Sequence, residues 1–443
     1  MSAPRPWLQC TFSDAIAFAA EEHGAREAVV CGDERLTFRD LAARVDAFAR
    51  GLIARGVAPG EKVALWMSDR VEWLVARWAI PSIGAVLVPV NTRFRQDDVR
   101  YVLEQSDASV LVVEEGSRGT RYWDILQQID PAAHGDAGGA WRSGVLPKLE
   151  RVIGLATGHD VPLGMISFGD VERTGAAARD DGVLAARKAQ VRPDDVAQIL
   201  YTSGTTSFPK GAQLVHGALL ANNFQTTRRM HLTPADRYLS CVPLFSATGT
   251  SYTLSMLLAG AAMVIVDRFD ARQFCETVAR ERITVTFMVD TIVEDLKAFG
   301  RWRDYDLSTL RTGTGAPLSR ASFRFATEEL GIPELIGVFG MSETSNAVAR
   351  CDCGDPLEKR MNTNGRPVDG VRIRIADVDT NATLPPGKVG EICVAGYVVM
   401  KGYYKRPDED RRTFDTDGWL HTGDLGELDE DGYLVYRGRV KEM

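Results

Sequence analysis

The sequence predicts an α/β protein with two layered α/β subdomains and a small antiparallel, barrel-like β subdomain. Three observations carry that reading. Short apolar runs alternate with helical periodicity between residues 62 and 113. The same alternation returns between residues 262 and 299. After residue 365 the texture changes to a period of two. Strand–helix alternation implies parallel layered sheets, whereas a period of two implies strands with one polar face.

In chain order, Lys62 to Met67 reads as a strand, and Val71, Leu74, Val75 and Trp78 recur at helical spacing. Ala85 to Val90 is a second strand. Val99, Val102 and Leu103 mark a helix, and Ser109 to Val113 a third strand. Residues 115–190 are poorer in pattern, and His134-Gly135-Asp136-Ala137-Gly138-Gly139 within them reads as a mobile surface loop. Val196 to Leu200 is an apolar run of buried-strand type. From Ala262 to Phe299 the order is strand, helix, strand, helix. Val371, Ile373 and Ile375 alternate with Arg372 and Arg374, and short strands with Gly/Pro/Asp turns continue to Tyr436. The expected boundaries are about 1–190 and 191–335 for the α/β subdomains and 336–437 for the β-rich one, within a single large domain 1–437. No internal repeat of solenoid period is present.

A chain of 443 residues, 45% hydrophobic, can bury a core large enough for several subdomains. Its net charge of −8, with both signs mixed, argues against a nucleic-acid surface. The longest apolar runs fall short of a membrane span, and Met1 to Trp7 lacks a signal-peptide core, so a cytoplasmic location is expected. Seven cysteines, an odd count, argue against a disulfide framework. Cys351-Asp352-Cys353 has no second Cys/His pair nearby to complete a zinc site.

The segment richest in chemistry is Tyr201-Thr202-Ser203-Gly204-Thr205-Thr206-Ser207-Phe208-Pro209-Lys210-Gly211. It follows a buried-type strand with hydroxyls, a glycine and a lysine. Backbone N–H groups of such a loop can wrap phosphate oxygens, hydroxyls donate further hydrogen bonds, and Lys210 adds charge. It is not a Walker A loop, because Pro209 precedes Lys210 and Gly211 follows it. A solvated Ser/Thr turn is the plainer alternative.

The same stretch resembles the phosphate loop of the adenylate-forming enzymes: acyl-CoA synthetases, adenylation domains of peptide synthetases, and luciferases. Further matches follow in the family's order. They are Gly315-Ala316-Pro317-Leu318, Phe339-Gly340-Met341-Ser342-Glu343, Gly390-Glu391-Ile392 through Gly402-Tyr403-Tyr404, Gly418-Trp419-Leu420-His421-Thr422-Gly423-Asp424, and Gly438-Arg439-Val440-Lys441-Glu442. The resemblance covers nearly the whole chain. It implies joining of a carboxylate to the α-phosphate of ATP, then transfer of the acyl group to a thiol. Negative charge builds on phosphorus oxygens as one anion approaches another, so backbone amides, hydroxyls, a cation and a metal answer the need.

By that resemblance, Thr202, Ser203, Gly204, Thr205, Thr206 and Lys210 hold the phosphates, with Thr205, Lys210 and Glu343 closest to the chemistry. Glu343 helps bind Mg²⁺, a hard ion suited to carboxylate oxygens. Gly315, Ala316 and Pro317 line the adenine slot. Phe339, Gly340, Met341 and Ser342 continue the nucleotide site, with Phe339 keeping a ring where the family more often has Tyr. Asp424 accepts the ribose hydroxyls and Arg439 is a second ribose contact. Phe245, Ser246, Thr248, Gly249, Val289, Gly313 and Met341 would line the acid pocket. The plainer readings are a core aromatic for Phe339, a helix-start residue for Glu343, a turn aspartate for Asp424 and a frayed terminal residue for Arg439.

Some residues depart from the family's pattern. Ser207 takes a usual Gly position. Ser246 stands where acyl-CoA ligases often carry His and where amino-acid-activating domains carry Asp, so a substrate without an α-amine is favoured. Small residues at 246, 248, 249 and 313 suggest a pocket with room. Asp290 reads best as a helix N-cap. Residues 438–443 resemble the hinge to a small C-terminal domain that carries the family's catalytic lysine, and that domain is not part of this sequence, so the chain by itself is expected to be poorly active. The expected activity of the intact form is an AMP-forming carboxylic acid:CoA ligase using ATP, Mg²⁺ and CoA on a fatty or aromatic acid. The alternatives are an enzyme loading a carrier protein, or a nucleotide-binding protein without turnover.

Overall fold

The computed structural model describes residues 7–136, 138–178, 182–202 and 209–440. The chain forms two compact units. The first comprises residues up to Leu220 with Pro243–Thr250 and Lys401–Lys405. The second comprises Ala221–Val242, Ser251–Met400 and the residues from Arg406 on.

The first unit holds a seven-stranded sheet. Its order is Ile166–Ser167, Arg151–Leu155, Ala108–Glu114, Lys62–Trp66, Val86–Pro89, Val196–Thr202, Lys210–Val215. Every pairing is parallel except the last, a hairpin in which Thr202 lies opposite Lys210 and Val196 opposite Val215. The strands are short β-branched and apolar runs buried on both faces, as a parallel sheet under helices requires. The Val71–Ser82 helix is buried at every position but Glu72. The poorly patterned region 115–190 contributes the helices Tyr122–Ile129, Phe168–Ala177 and Val183–Gln190. Within it, His134–Gly135 pairs with Trp141–Arg142, and Asp136 Oδ1 accepts the N–H groups of Gly138 and Ala140.

Seven strands of the second unit run in the order Ala262–Ile265, Arg237–Ser240, Val285–Met288, Thr312–Gly315, Glu334–Met341, Asn346–Arg350, Arg366–Pro367. The first five are parallel and the last two antiparallel. A separate four-stranded antiparallel sheet follows, built from Val371–Ala376, Gly390–Gly396, Leu420–Leu428 and Leu434–Arg439. The mixed α/β fold with a small antiparallel sheet is thus the one the sequence predicts. Among the described residues no helix is long and apolar enough to cross a membrane.

Candidate functional site

In the first unit, the chemistry-bearing segment leaves the C-terminal end of the Val196–Thr202 strand. Thr202 is half-buried, and its Oγ1 lies 3.5 Å from the carbonyl oxygen of Lys210. Ser203, Gly204, Thr205 and Thr206, with Ser207 and Phe208, lie outside the described residues. What the structure supplies is the frame on either side of them. Tyr101 donates from its hydroxyl to the carbonyl of Pro209 at 3.1 Å. Tyr201 bonds the side-chain oxygen of Gln105, and burial pushes its phenol up, so it stays neutral.

Lys210 lies with its Nζ 5.1 Å from the centre of the Tyr403 ring. Tyr403 arrives on the segment 401–405, which adds to the open edge of the hairpin. Gly402 accepts from the Gln213 N–H at 3.1 Å, Lys401 N–H donates to Gln213 O at 3.0 Å, and Tyr404 N–H donates to Gly211 O at 2.8 Å. Asp107 anchors the end of that segment, accepting from the Tyr404 hydroxyl at 2.8 Å and pairing with Lys405 at 2.6 Å and Lys148 at 2.7 Å. Burial pushes this carboxyl up, but hydrogen bonds from Lys148, Lys405 and Tyr404 outweigh it and hold it at about 2. The Gly402-Tyr403-Tyr404 motif was visible in the sequence, but its place beside Lys210 was not.

Two of the small residues credited with leaving room for an acid, Gly249 and Gly313, face nearby backbone. A Cβ on Gly249 would lie 2.1 Å from the Pro243 carbonyl oxygen, and one on Gly313 would lie 2.4 Å from the Thr286 carbonyl oxygen. Glycine is required at both places for close packing, and neither position reports an open pocket. Ser246 caps the Ala247–Ala259 helix. Its hydroxyl accepts from the Gly249 N–H at 3.0 Å and donates to Pro243 O at 2.7 Å. Ser246→Ala is therefore expected to cost about 1 kcal/mol of stability, the usual value of an N-cap, read from urea unfolding. An unchanged midpoint would show that the cap is dispensable. Phe245 and Thr248 flank Ser246 and are partly exposed.

In the second unit, Gly315 ends the Thr312–Gly315 strand, and Ala316-Pro317 is a cis peptide. The turn after it is tied down by Asp290, whose carboxylate accepts from the Ser319 hydroxyl at 2.7 Å and the Ser319 N–H at 3.1 Å. Asp290 is not the N-cap of its helix. Val289 holds that position, with extended backbone, and Asp290 is the first helical residue. Its carboxylate bonds a residue 29 positions away rather than its own helix end. Val289 takes the N-cap position with extended backbone and makes no side-chain cap bond.

Phe339 is buried in the apolar core shared with Val348, Val371, Ile392 and Val394, and stacks on Tyr436 at 5.9 Å. Gly340 and Met341 complete the strand, and Ser342–Thr344 makes a single 3₁₀ turn. Thr344 locks that turn: its hydroxyl accepts from the Met341 N–H at 3.2 Å and lies 3.0 Å from the Met341 carbonyl. Asn222 donates to the carbonyls of Thr344 and Ala347, and Ser345 donates to Val398 O. Glu343 is the middle residue, only 6% exposed, with its carbonyl taken by the Met400 N–H at 2.8 Å. A carboxylate on so heavily braced a turn suits a hard oxygen-seeking cation such as Mg²⁺.

Asp424, 4% exposed, lies directly across the antiparallel pair from Arg439, and Arg439 Nε meets Asp424 Oδ1 at 3.0 Å. Arg439 is half exposed. The backbone at Asp424 is set by its neighbours: Thr422 Oγ1 accepts the Asp424 N–H at 3.1 Å and donates to Ile392 O at 2.7 Å. Gly423 takes a φ of +71°, and its N–H donates to Glu391 Oε1 at 2.9 Å. The other oxygen of Glu391 is 2.7 Å from His421 Nδ1. Glu391 therefore braces the Trp419–Asp424 segment, a role the bare Gly-Glu-Ile motif did not reveal. Cys351 and Cys353 are core thiols, pushed up to about 11 by burial, with Cys353 Sγ 3.3 Å from Thr312 Oγ1.

Residues 16–404 match the family described as AMP-binding enzyme, and the chain belongs to that family. It is 35% identical over 441 residues to YngI of Bacillus subtilis (strain 168), whose name places it among the acyl-CoA synthetases; that covers 98% of this chain and 80% of the relative. It is 34% identical over 415 residues to a 7a-methyl-1,5-dioxo-octahydro-1H-inden-4-yl propanoyl:CoA ligase of Rhodococcus jostii (strain RHA1), covering 92% of this chain and 75% of the relative. Among solved structures, it superposes on the anthranilate CoA ligase AuaEII in complex with anthranoyl-AMP with a TM-score of 0.85 and 25% identity, covering 98% of this chain and 79% of that one. The chain is of the AMP-forming acid:CoA ligase kind, using ATP to activate a carboxylic acid ahead of thioester formation with CoA.

Proposed function

We propose that this ligase activates a carboxylic acid lacking an α-amino group, with Asp424 and Arg439 on the ribose, Gly315, Ala316 and Pro317 beside the adenine, and Thr202 and Lys210 on the phosphates. The observation that carries the nucleotide assignment is the Asp424–Arg439 pair: a buried carboxylate on a braced strand, with two oxygens suited to two hydroxyls. Phe339, buried and stacked on Tyr436, is the ring assigned to the adenine side. Glu343 would hold Mg²⁺. That ion, when bound, neutralises charge on the phosphates. Lys210 contributes a fixed positive charge, and the bonds made by Met400, Asn222 and Thr344 hold the Glu343 turn in place.

Ser246 supports the choice of acid. It offers a hydroxyl already engaged in capping, and no anion to pair with a substrate amine. Ring-bearing acids are the first to try, because the named relatives act on a fused-ring propanoate and on anthranilate. CoA is proposed as the acyl acceptor. A cytoplasmic location fits seven cysteines that are all free thiols. The test is pyrophosphate release across a panel of fatty, aromatic, fused-ring and amino acids, followed by thioester formation with CoA or with a phosphopantetheinyl carrier protein. Preference for amino acids, or turnover on the carrier alone, would overturn the reading.

Glu343→Gln is expected to shift the Mg²⁺ dependence of adenylation to higher concentration while leaving thermal stability near that of the parent. Superimposable metal titrations would remove Glu343 from the metal site.

A further inference from the structure

The Val71–Ser82 helix places a charge in the interior of the first unit. Arg77 is fully buried, and none of its three guanidinium nitrogens has a hydrogen-bond partner among the described residues. Its guanidinium lies over the Phe12 ring at 4.8 Å and beside Trp78 at 5.9 Å. Phe12 in turn meets His216 edge-on at 4.9 Å, and the Phe12 N–H donates to His216 Nδ1 at 3.2 Å. That bond makes Nδ1 an acceptor, so the proton of the neutral ring is on Nε2. His216 is also fully buried, and Nε2 has no acceptor among the described residues.

Two buried donor groups thus lack an acceptor among the described residues, and they are near enough for the charge of Arg77 to act on His216. Burial lowers Arg77 to about 9, which leaves it charged at neutral pH, and lowers His216 to about 3, with Arg77 adding to the effect. Aromatic faces compensate only a small part of a desolvated cation. Ordered water would satisfy the N–H groups but leave the charge unpaired, whereas an anion answers both. Donors in excess, a net positive charge and apolar aromatic walls are the chemistry of a halide site.

We propose that Arg77 and His216 Nε2 bind a small inorganic anion of the chloride class in the interior of the first unit, as a structural ion distinct from substrate phosphate. Its position in the hairpin makes the distinction. His216 directly follows Val215, at the end of the hairpin opposite Thr202 and Lys210, six strand residues or about 20 Å away. The ion would join the first residue of the Phe12–His23 helix, the Val71–Ser82 helix and the start of the His216–Arg229 helix at the base of the hairpin.

Crystals of the whole chain grown in sodium bromide test this directly. One anomalous peak within hydrogen-bond reach of Arg77 and His216 Nε2 is expected. In solution, replacing gluconate by chloride at constant ionic strength should raise the melting temperature by roughly 2–5 °C and then saturate. Arg77→Met should lose the chloride dependence, and a folded Arg77→Lys variant should keep part of it. AMP should leave the bromide peak in place. Density for water alone at Arg77, or a melting temperature indifferent to the anion, overturns the proposal. So does a bromide peak that survives Arg77→Met, which would mark an adventitious ion only.

Discussion

Asp424→Ala is expected to weaken AMP binding by about ten- to a hundredfold, the value of a charge-assisted hydrogen bond worth roughly 1.5–3 kcal/mol. The loss should be clean. Arg439, its partner at 3.0 Å, is half exposed and can turn to solvent when the carboxylate is gone. Asp424→Asn should fall between the two, because an amide keeps one acceptor. Calorimetry with AMP decides it: full affinity in a folded alanine variant would take Asp424 out of the ribose site. Pairing the substitution with Arg439→Ala tests whether the two act together, in which case the double variant loses less than the sum of the singles.

Asp107→Asn should destabilise the protein by about 1 kcal/mol at neutral pH, less than the full shift because the lysine partners are exposed and screened. The carboxyl is held at about 2 in the fold against 3.8 for the free group. The folded value is depressed, so the unfolded chain binds the proton more readily. The stabilisation is therefore fully present above about pH 4 and is lost as pH falls toward 2. Urea unfolding of parent and variant should differ at pH 7 and converge near pH 2. Asparagine suits the left-handed backbone at this position, φ 56°, so the comparison isolates charge. A gap that persists unchanged at low pH would mean that the ion pairs are not its source.

Much of this was legible in the sequence. The apolar runs beginning at Lys62, Val196, Ala262 and Val371 became strands because their residues are buried on one or both faces, and burial is what the periodicity records. The ordered motifs singled out Thr202, Lys210 and Glu343, which lie at strand ends and in a turn, and Asp424, which lies within the Leu420–Leu428 strand. What stayed hidden came from contacts between residues remote in sequence. The helices Tyr122–Ile129 and Phe168–Ala177 are too short for a strong helical signal. Asp290 looked like a cap because it opens a helix, yet its carboxylate is drawn to Ser319. Gly249 and Gly313 looked like space because a missing side chain reads the same whether backbone or ligand takes its place. Tyr403 could not be assigned to Lys210 from a motif nearly 200 residues downstream.

The 401–405 segment has a consequence for synthesis. The Lys210–Val215 strand is the last in its sheet, and the residues that cover it are Lys401 to Lys405. At the ribosome's pace of about 5–20 residues per second, the strand leaves the exit tunnel roughly 10–40 s before its cover does. For that interval its N–H and C=O groups present an open template to any other extended chain. The strand that begins with Lys210 is then open to mispairing, and a chaperone that shields extended segments would act there.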